Sequence, residues 1–251
     1  MEMKMRKTVR DIFILTWFKS YPDFRRNPFV ILLLGTLGGI PLFFMSVMGG
    51  EKTFVHGLVG SIVSSVAFGG VLGPIQGLSS DRYVKMREMI VAMPVHPLSY
   101  ALGTAAEFLL LSFPSVILFF GIAAYLRLLT PTVVVWMTLT LLIAWGAMST
   151  TGFMISTYLS RASNTVLSSF ANLLGFGFVF IPPVFYSESL LGSFSWVSVL
   201  IPTSNAAGLI RAYMGLLEIS AEGTFVRVIV LILTLATAMV LTSRKARWRE
   251  T

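Results

Sequence analysis

Six stretches of this chain run for about 20 residues or more with little or no charge, the length a helix needs to cross a bilayer. They are Phe29–Met48, Phe54–Leu78, Tyr100–Leu126, Thr132–Tyr158, Val166–Tyr186 and Thr224–Ser243. Lipid offers no hydrogen bonds to the backbone, so runs of this kind fold as helices that satisfy themselves. The rest of the composition agrees. Hydrophobic residues make up 55% of the 251 and charged residues only 12%, about half the share in a soluble domain; mean hydropathy is +0.82. The chain is expected to be an all-α integral membrane protein with six transmembrane helices.

The formal net charge of +8 raises the question of nucleic acid, but the cations gather at the edges of the apolar runs, where sidedness of insertion explains them. With six spans the termini share a side. On that side lie Lys4, Arg6, Lys7, Arg10, Lys19, Arg25, Arg26, Arg82, Lys85, Arg87, Arg161 and the tail Arg244, Lys245, Arg247 and Arg249; only Lys52, Arg127, Arg211 and Arg227 fall opposite. The positive-inside rule then puts both ends in the cytoplasm, and the protein in the cytoplasmic membrane. Cysteine is absent, which removes disulfides and thiol chemistry.

Residues 1–27 are basic, with Val9, Ile12, Phe13, Thr16 and Trp17 at helical spacing and Ile14, Leu15 and Phe18 widening the apolar face. The apolar part is short and ends at Lys19 without a small-residue cleavage site, unlike a signal peptide. It reads as a helix lying in an anionic membrane surface, ended by Tyr21-Pro22. In the second span Gly69, Gly73 and Gly77 stand four apart, as do Gly35 and Gly39 in the first, a spacing that lets helix backbones approach closely. Gly73-Pro74 is expected to kink the second span. Arg227 near one end of the sixth is expected to snorkel to water. Ser189–Ile210 is long enough to span, but Gly192, Pro202, Asn205 and its serines and threonines make a poor lipid-facing helix. Irregular backbone at membrane depth needs protein or a cavity around it, so a re-entrant pair of short helices on the extracellular side, between spans five and six, is expected.

The charged interruption Ser79–Tyr100, SSDRYVKMREMIVAMPVHPLSY, lies between spans two and three. Ser79 or Ser80 is placed to cap a helix, Asp81 to favour its N-terminus, and Asp81 with Lys85 to support it four residues on. Met86, Met89, Ile90 and Met93 share one face, and Pro94 and Pro97 stop the helix. The pattern fits either a solvated loop or about three turns of amphipathic helix presented to a cytoplasmic partner.

The residues Asp81, Arg82, Arg87, Glu88, Met89, Val91, Pro94, Val95, Pro97, Leu98, Tyr100, Leu102 and Gly103, with the basic helix and the Arg-x-Asn-Pro entry to span one (Arg25 to Pro28), resemble the ABC-2 type permeases. These are the membrane subunits of a class of ATP-binding cassette exporters. The likeness extends over most of the chain in layout and over 79–103 in motif; Val84-Lys85 stands where the family commonly has Gly-Thr or Gly-Phe. It implies that Asp81–Met93 is a coupling helix docking on an ATPase subunit, with Asp81, Arg82, Lys85, Arg87 and Glu88 supplying the charges. It further implies a second permease subunit, identical or not, and a path lined by spans one, two and five. The chain has no G-x-x-x-x-G-K-[ST] loop, so it is expected to be no enzyme itself. No cofactor is expected in it; ATP and Mg would be bound by the partner ATPase. An amphiphilic, drug-like or lipid-like cargo suits so apolar a permease.

Glu107 is the one carboxylate well inside a span, about 10 Å from the helix start. Such a charge points to a polar path, a proton site or a cationic substrate, and equally to a structural bond between helices. The alternative function built on it is an ion-coupled secondary transporter. Asn172 and Asn164 near span five either line a path or bond between helices. His56 and His96 lack partner patterns, and the 13 methionines suit adaptable packing better than metal handling.

Overall fold

The computed structural model describes residues 2–26, 38–83 and 97–245, and every regular element among them is helical. In chain order these are α1 (Glu2–Arg26), α2 (Gly39–Met48), α3 (Gly50–Tyr83), α4 (Pro97–Tyr125), α5 (Pro131–Tyr158), α6 (Asn164–Phe180), a 3₁₀ turn (Glu188–Phe194), α7 (Ser195–Leu200), α8 (Pro202–Tyr213) and α9 (Ala221–Lys245). Among the described residues four helices are long and apolar enough to cross a membrane, over Thr53–Asp81, Ser99–Tyr125, Pro131–Tyr158 and Ala221–Arg244. They coincide with the second, third, fourth and sixth expected spans.

Helix α3 is the axis. Its most apolar window is 83% buried, against 17% for α4 and α9, and α2, α4, α5, α6 and α8 all pack on it. The glycine stripe explains how. A Cβ on Gly69 would lie 2.7 Å from Ser112 Oγ, one on Gly73 2.3 Å from Phe108 Cγ, and one on Gly77 2.9 Å from Thr104 Cγ2. Three residues on one face of α3 thus meet three on one face of α4, Thr104, Phe108 and Ser112. On another side, Gly152 of α5 approaches Pro74 and the carbonyl of Val71 so closely that a Cβ there would sit 2.7 Å from that oxygen. Helix α3 runs unbroken through Pro74.

Local signals set several ends. Thr130 caps α5, accepting from Val133 N at 3.3 Å with Pro131 following, and Ser163 caps α6, accepting from Val166 N at 3.4 Å. Helix α6 stops at Phe180, six residues before the expected end of the fifth span, because Pro182 and Pro183 supply no N–H to continue it. It is a 17-residue apolar helix. Conversely, α1 passes through Pro22 to Arg26, beyond the stop expected at Tyr21-Pro22. The carbonyl that Pro22 leaves without its helical donor belongs to Phe18, an exposed residue. Nor does a helix begin at Ser79: α3 continues to Tyr83, and the Ser79 hydroxyl bonds to Asn164 Oδ1 of α6. The first span is described only from residue 38.

The segment expected to be re-entrant forms three short pieces, broken at Gly192 (φ 52°) and at the extended Ile201. Of these, α8 is enclosed by α5, α9 and α3, and Pro202–Arg211 is buried throughout. Of the polar residues that argue against lipid contact, Ser198, Thr203, Ser204 and Asn205 are covered by protein, whereas Ser189, Ser193 and Ser195 are exposed.

Candidate functional site

The stretch singled out in the sequence begins at the end of α3 and returns at the start of α4. Lys85, Arg87 and Glu88 lie outside the described residues, as does most of Asp81–Met93; Arg82 stands in the last turn of α3. Asp81 is buried, 5% exposed, and points into a cluster at the roots of that stretch.

Tyr100, Thr104 and Glu107 stand at i, i+4 and i+7 on one face of α4, which the 3.6-residue repeat brings together. Helix α1 crosses that face closely because Gly103 has no side chain; a Cβ there would lie 2.9 Å from Leu15 Cβ. Thr16 donates to the Gly103 carbonyl at 3.3 Å. One turn on, Lys19 enters the gap. Its ammonium donates to Asp81 Oδ2 at 2.8 Å and to Thr104 Oγ1 at 3.1 Å, and lies 3.4 Å from Glu107 Oε2. The Tyr100 hydroxyl donates to the same Asp81 oxygen, and the Tyr100 ring lies 5.4 Å from the ammonium. The side chains of Lys19, Asp81 and Glu107 are 7%, 6% and 9% exposed.

Buried ions persist only when paired and hydrogen-bonded. Here one ammonium serves two carboxylates from different helices, so α1, α3 and α4 are pinned at one point. Above it lies a small apolar core of Leu78, Tyr100, Ala105 and Phe153. Asp81 is therefore an internal anchor at the root of the stretch, held by Lys19 and Tyr100.

A second charged cluster joins the segment after α6 to α8 and α9. Arg211, 1% exposed, donates to the Pro183 carbonyl at 2.9 Å and to the Val184 carbonyl. It supplies donors where two consecutive prolines have broken the helix. Burial lowers its guanidinium to about 10, Glu188 raising it and Arg227 lowering it in smaller measure; it stays a cation at neutral pH. Arg227 does not snorkel. It is 7% exposed and forms a two-pronged pair with Glu188, at 2.8 and 2.6 Å. Gly208 makes room, since a Cβ there would lie 2.4 Å from Arg227 Nη1.

Between the two clusters, α2, α3, α4 and α6 enclose a cavity of about 390 Å³. Phe68, Phe108 and Phe176 form much of its wall, and Ser64, Ser65, Gln76, Ser112 and Ser115 its polar spots. Neither Glu107 nor Asn172 lines it. Asn172 is exposed on α6, on the outside of the bundle. Among the described residues no three His, Cys, Asp or Glu side chains are grouped as metal ligands.

Lys19, Glu188 and the carbonyl partners of Arg211 were not picked out from the sequence. The available signal for Lys19 is its place beside Thr16 and Ser20 at the end of the apolar stretch of α1, with a Glu inside a span left to pair. No protein-family model matches the chain, and a search of curated proteins finds no match.

Proposed function

We propose that the chain is the permease subunit of an ABC-2 type exporter, moving an amphiphilic, drug-like or lipid-like substrate across the cytoplasmic membrane with ATP hydrolysed by a separate ATPase subunit. In this reading six helices cross the membrane, both termini are cytoplasmic, and a second permease subunit completes the path. The observation that carries it is the stretch 79–103: a charged, proline-terminated motif resembling the family's coupling region, set between two span-length helices. The Lys19 cluster supports the same reading. A loop that receives a push from an ATPase transmits it only if its roots are tied to the bundle, and Asp81 and Tyr100 are so tied.

The segment 188–213, with its buried α8, is taken as the extracellular re-entrant element. Exposed Val9, Phe13, Trp17 and Phe18 on α1 suit a helix at the membrane surface. An ion-coupled carrier would need Glu107 to exchange protons along a wet path; its place against Lys19 and outside the cavity weighs against that role.

The test is purification of the tagged protein in mild detergent from cells expressing candidate ATPases, with mass spectrometry of what accompanies it. Recovery of a Walker-motif ATPase, lost when Arg87 and Glu88 are both replaced by Ala, is expected. A preparation free of ATPase removes the proposal.

A further inference from the structure

We infer that the cavity between α2, α3, α4 and α6 is a binding site for an uncharged amphiphile that carries a hydrogen-bond donor, such as an alcohol or amide, and enters from the bilayer. As a binding site it stands on the cavity itself; as the place where cargo loads, it rests on the exporter reading.

Size comes first. At about 390 Å³ the cavity falls in the range of small-molecule pockets, ~300–1,000 Å³. The wall chemistry then selects the ligand. Among the described residues no Asp, Glu, Lys, Arg or His lines it, so a charged head would be stripped of water with none of them to pair with. The aromatic and aliphatic wall takes an apolar body.

The polar spots define the head. Ser64 and Ser65 donate to the Ser61 carbonyl at 3.0 and 2.7 Å, and Ser112 donates to the Phe108 carbonyl at 2.8 Å. Their protons are engaged, and what they offer the cavity is oxygen lone pairs. Gln76, also on the wall, adds an amide that both donates and accepts, so a head that brings an O–H or N–H meets the serine oxygens and an oxygen on the same head meets the amide. Ser115 is different: it is 3% exposed, lines the cavity, and its hydroxyl has no hydrogen-bond partner among the described residues. A buried hydroxyl left so is costly, and a ligand oxygen accepting from it removes that cost. A hydroxyl or amide head meets both demands at once, which neither a carboxylate nor a quaternary ammonium does.

The mouth shows the route. Ile40, Phe176 and Phe180 line the cavity and are also 52%, 51% and 42% exposed, so its rim lies on the apolar flank of the bundle. A ligand already dissolved in the bilayer reaches it without crossing water.

The experiment uses the full chain in phosphatidylcholine nanodiscs, without ATPase, so its failure is separate from failure of the exporter reading. Photoactivatable alkyl probes of equal chain length, ending in a hydroxyl, a carboxylate or a trimethylammonium group, are cross-linked and the labelled peptides mapped. The alcohol should label the Ser64–Gln76 and Phe108–Ser115 peptides, and excess unlabelled alcohol should compete it away. Ser115→Ala should lower that labelling about fivefold, the worth of one hydrogen bond, while Ser198→Ala leaves it unchanged. Leu111→Trp, filling the cavity, should abolish it. Equal labelling by all three heads, labelling that is not competed, or an unaltered signal in Ser115→Ala would overturn the assignment.

Discussion

The two charged clusters sit toward opposite ends of α3 and solve the problem of buried charge in different ways. Near one end, Lys19 bonds to side chains from two other helices, one cation serving two carboxylates. Toward the other, where Phe185 packs on Gly60, Arg211 bonds to backbone carbonyls and Arg227 forks onto one carboxylate. Gly60 and Asp81 are about 30 Å apart along the helix, close to the hydrocarbon thickness of a bilayer. A lysine is a compact charge on a flexible stem, which holds elements together while letting them adjust. Arginine's rigid fork satisfies several acceptors in fixed directions. The first cluster is a joint between helices, at the roots of the stretch proposed to meet an ATPase. The second is a splint for a chain broken by prolines.

The comparison is broken most directly at Lys19. Lys19→Met leaves two carboxylates buried without their cation and should cost about 3–5 kcal/mol, read as resistance to unfolding in detergent. A double-mutant cycle with Asp81→Asn should show coupling above ~0.5 kcal/mol; strict additivity would mean that no joint exists. Next comes Arg211. Arg211→Met should cost about 2–3 kcal/mol, the scale of charged hydrogen bonds, with faster proteolysis near residues 181–190. Arg211→Lys should rescue little, since one ammonium does not reproduce the fork.

Between the clusters, Gly73→Ala drives a methyl into Phe108 and should cost about 1–3 kcal/mol. Gly121→Ala, with nothing within 4 Å of the added carbon, should be neutral or slightly stabilising. That contrast, read as thermal stability, shows whether α3 and α4 are held as one body from end to end. Among the charge changes Glu188→Gln should have the smallest effect. The Glu188 side chain is 16% exposed, so solvent tempers the loss to about 1 kcal/mol.

Much of the bundle was legible in the sequence because its signals are local. Apolar run length marked the four span-length helices, and the four-residue repeat of Gly69, Gly73 and Gly77 marked the α3–α4 seam. Glu107 stood out because a carboxylate within a span is expensive. Its partner did not. Lys19 lies in a helix whose apolar face is too wide to give a register, and it was counted with the surface cations. Arg227 was expected to reach water because Glu188, 39 residues away, gives no local sign of pairing with it. Pro22 carries a local stop signal, yet α1 continues through it to Arg26. The expected fifth span overruns α6 because the apolar character of the chain continues past the prolines that end the helix. For Lys19 and Arg227 a partner far away in the sequence decides what local pattern leaves open; for the fifth span two local prolines override the apolar run.

The central claim is that the Lys19 end of the bundle faces the cytoplasm, since a coupling stretch on the outer face meets no ATP. The chain has no cysteine, so each introduced thiol is unique. Arg161→Cys and Glu218→Cys, both at exposed positions, would be labelled on intact cells with a membrane-impermeant maleimide. The account predicts that the thiol at 218 reacts at once and the thiol at 161 only after permeabilisation. Reaction at 161 from outside, with 218 protected, would contradict it.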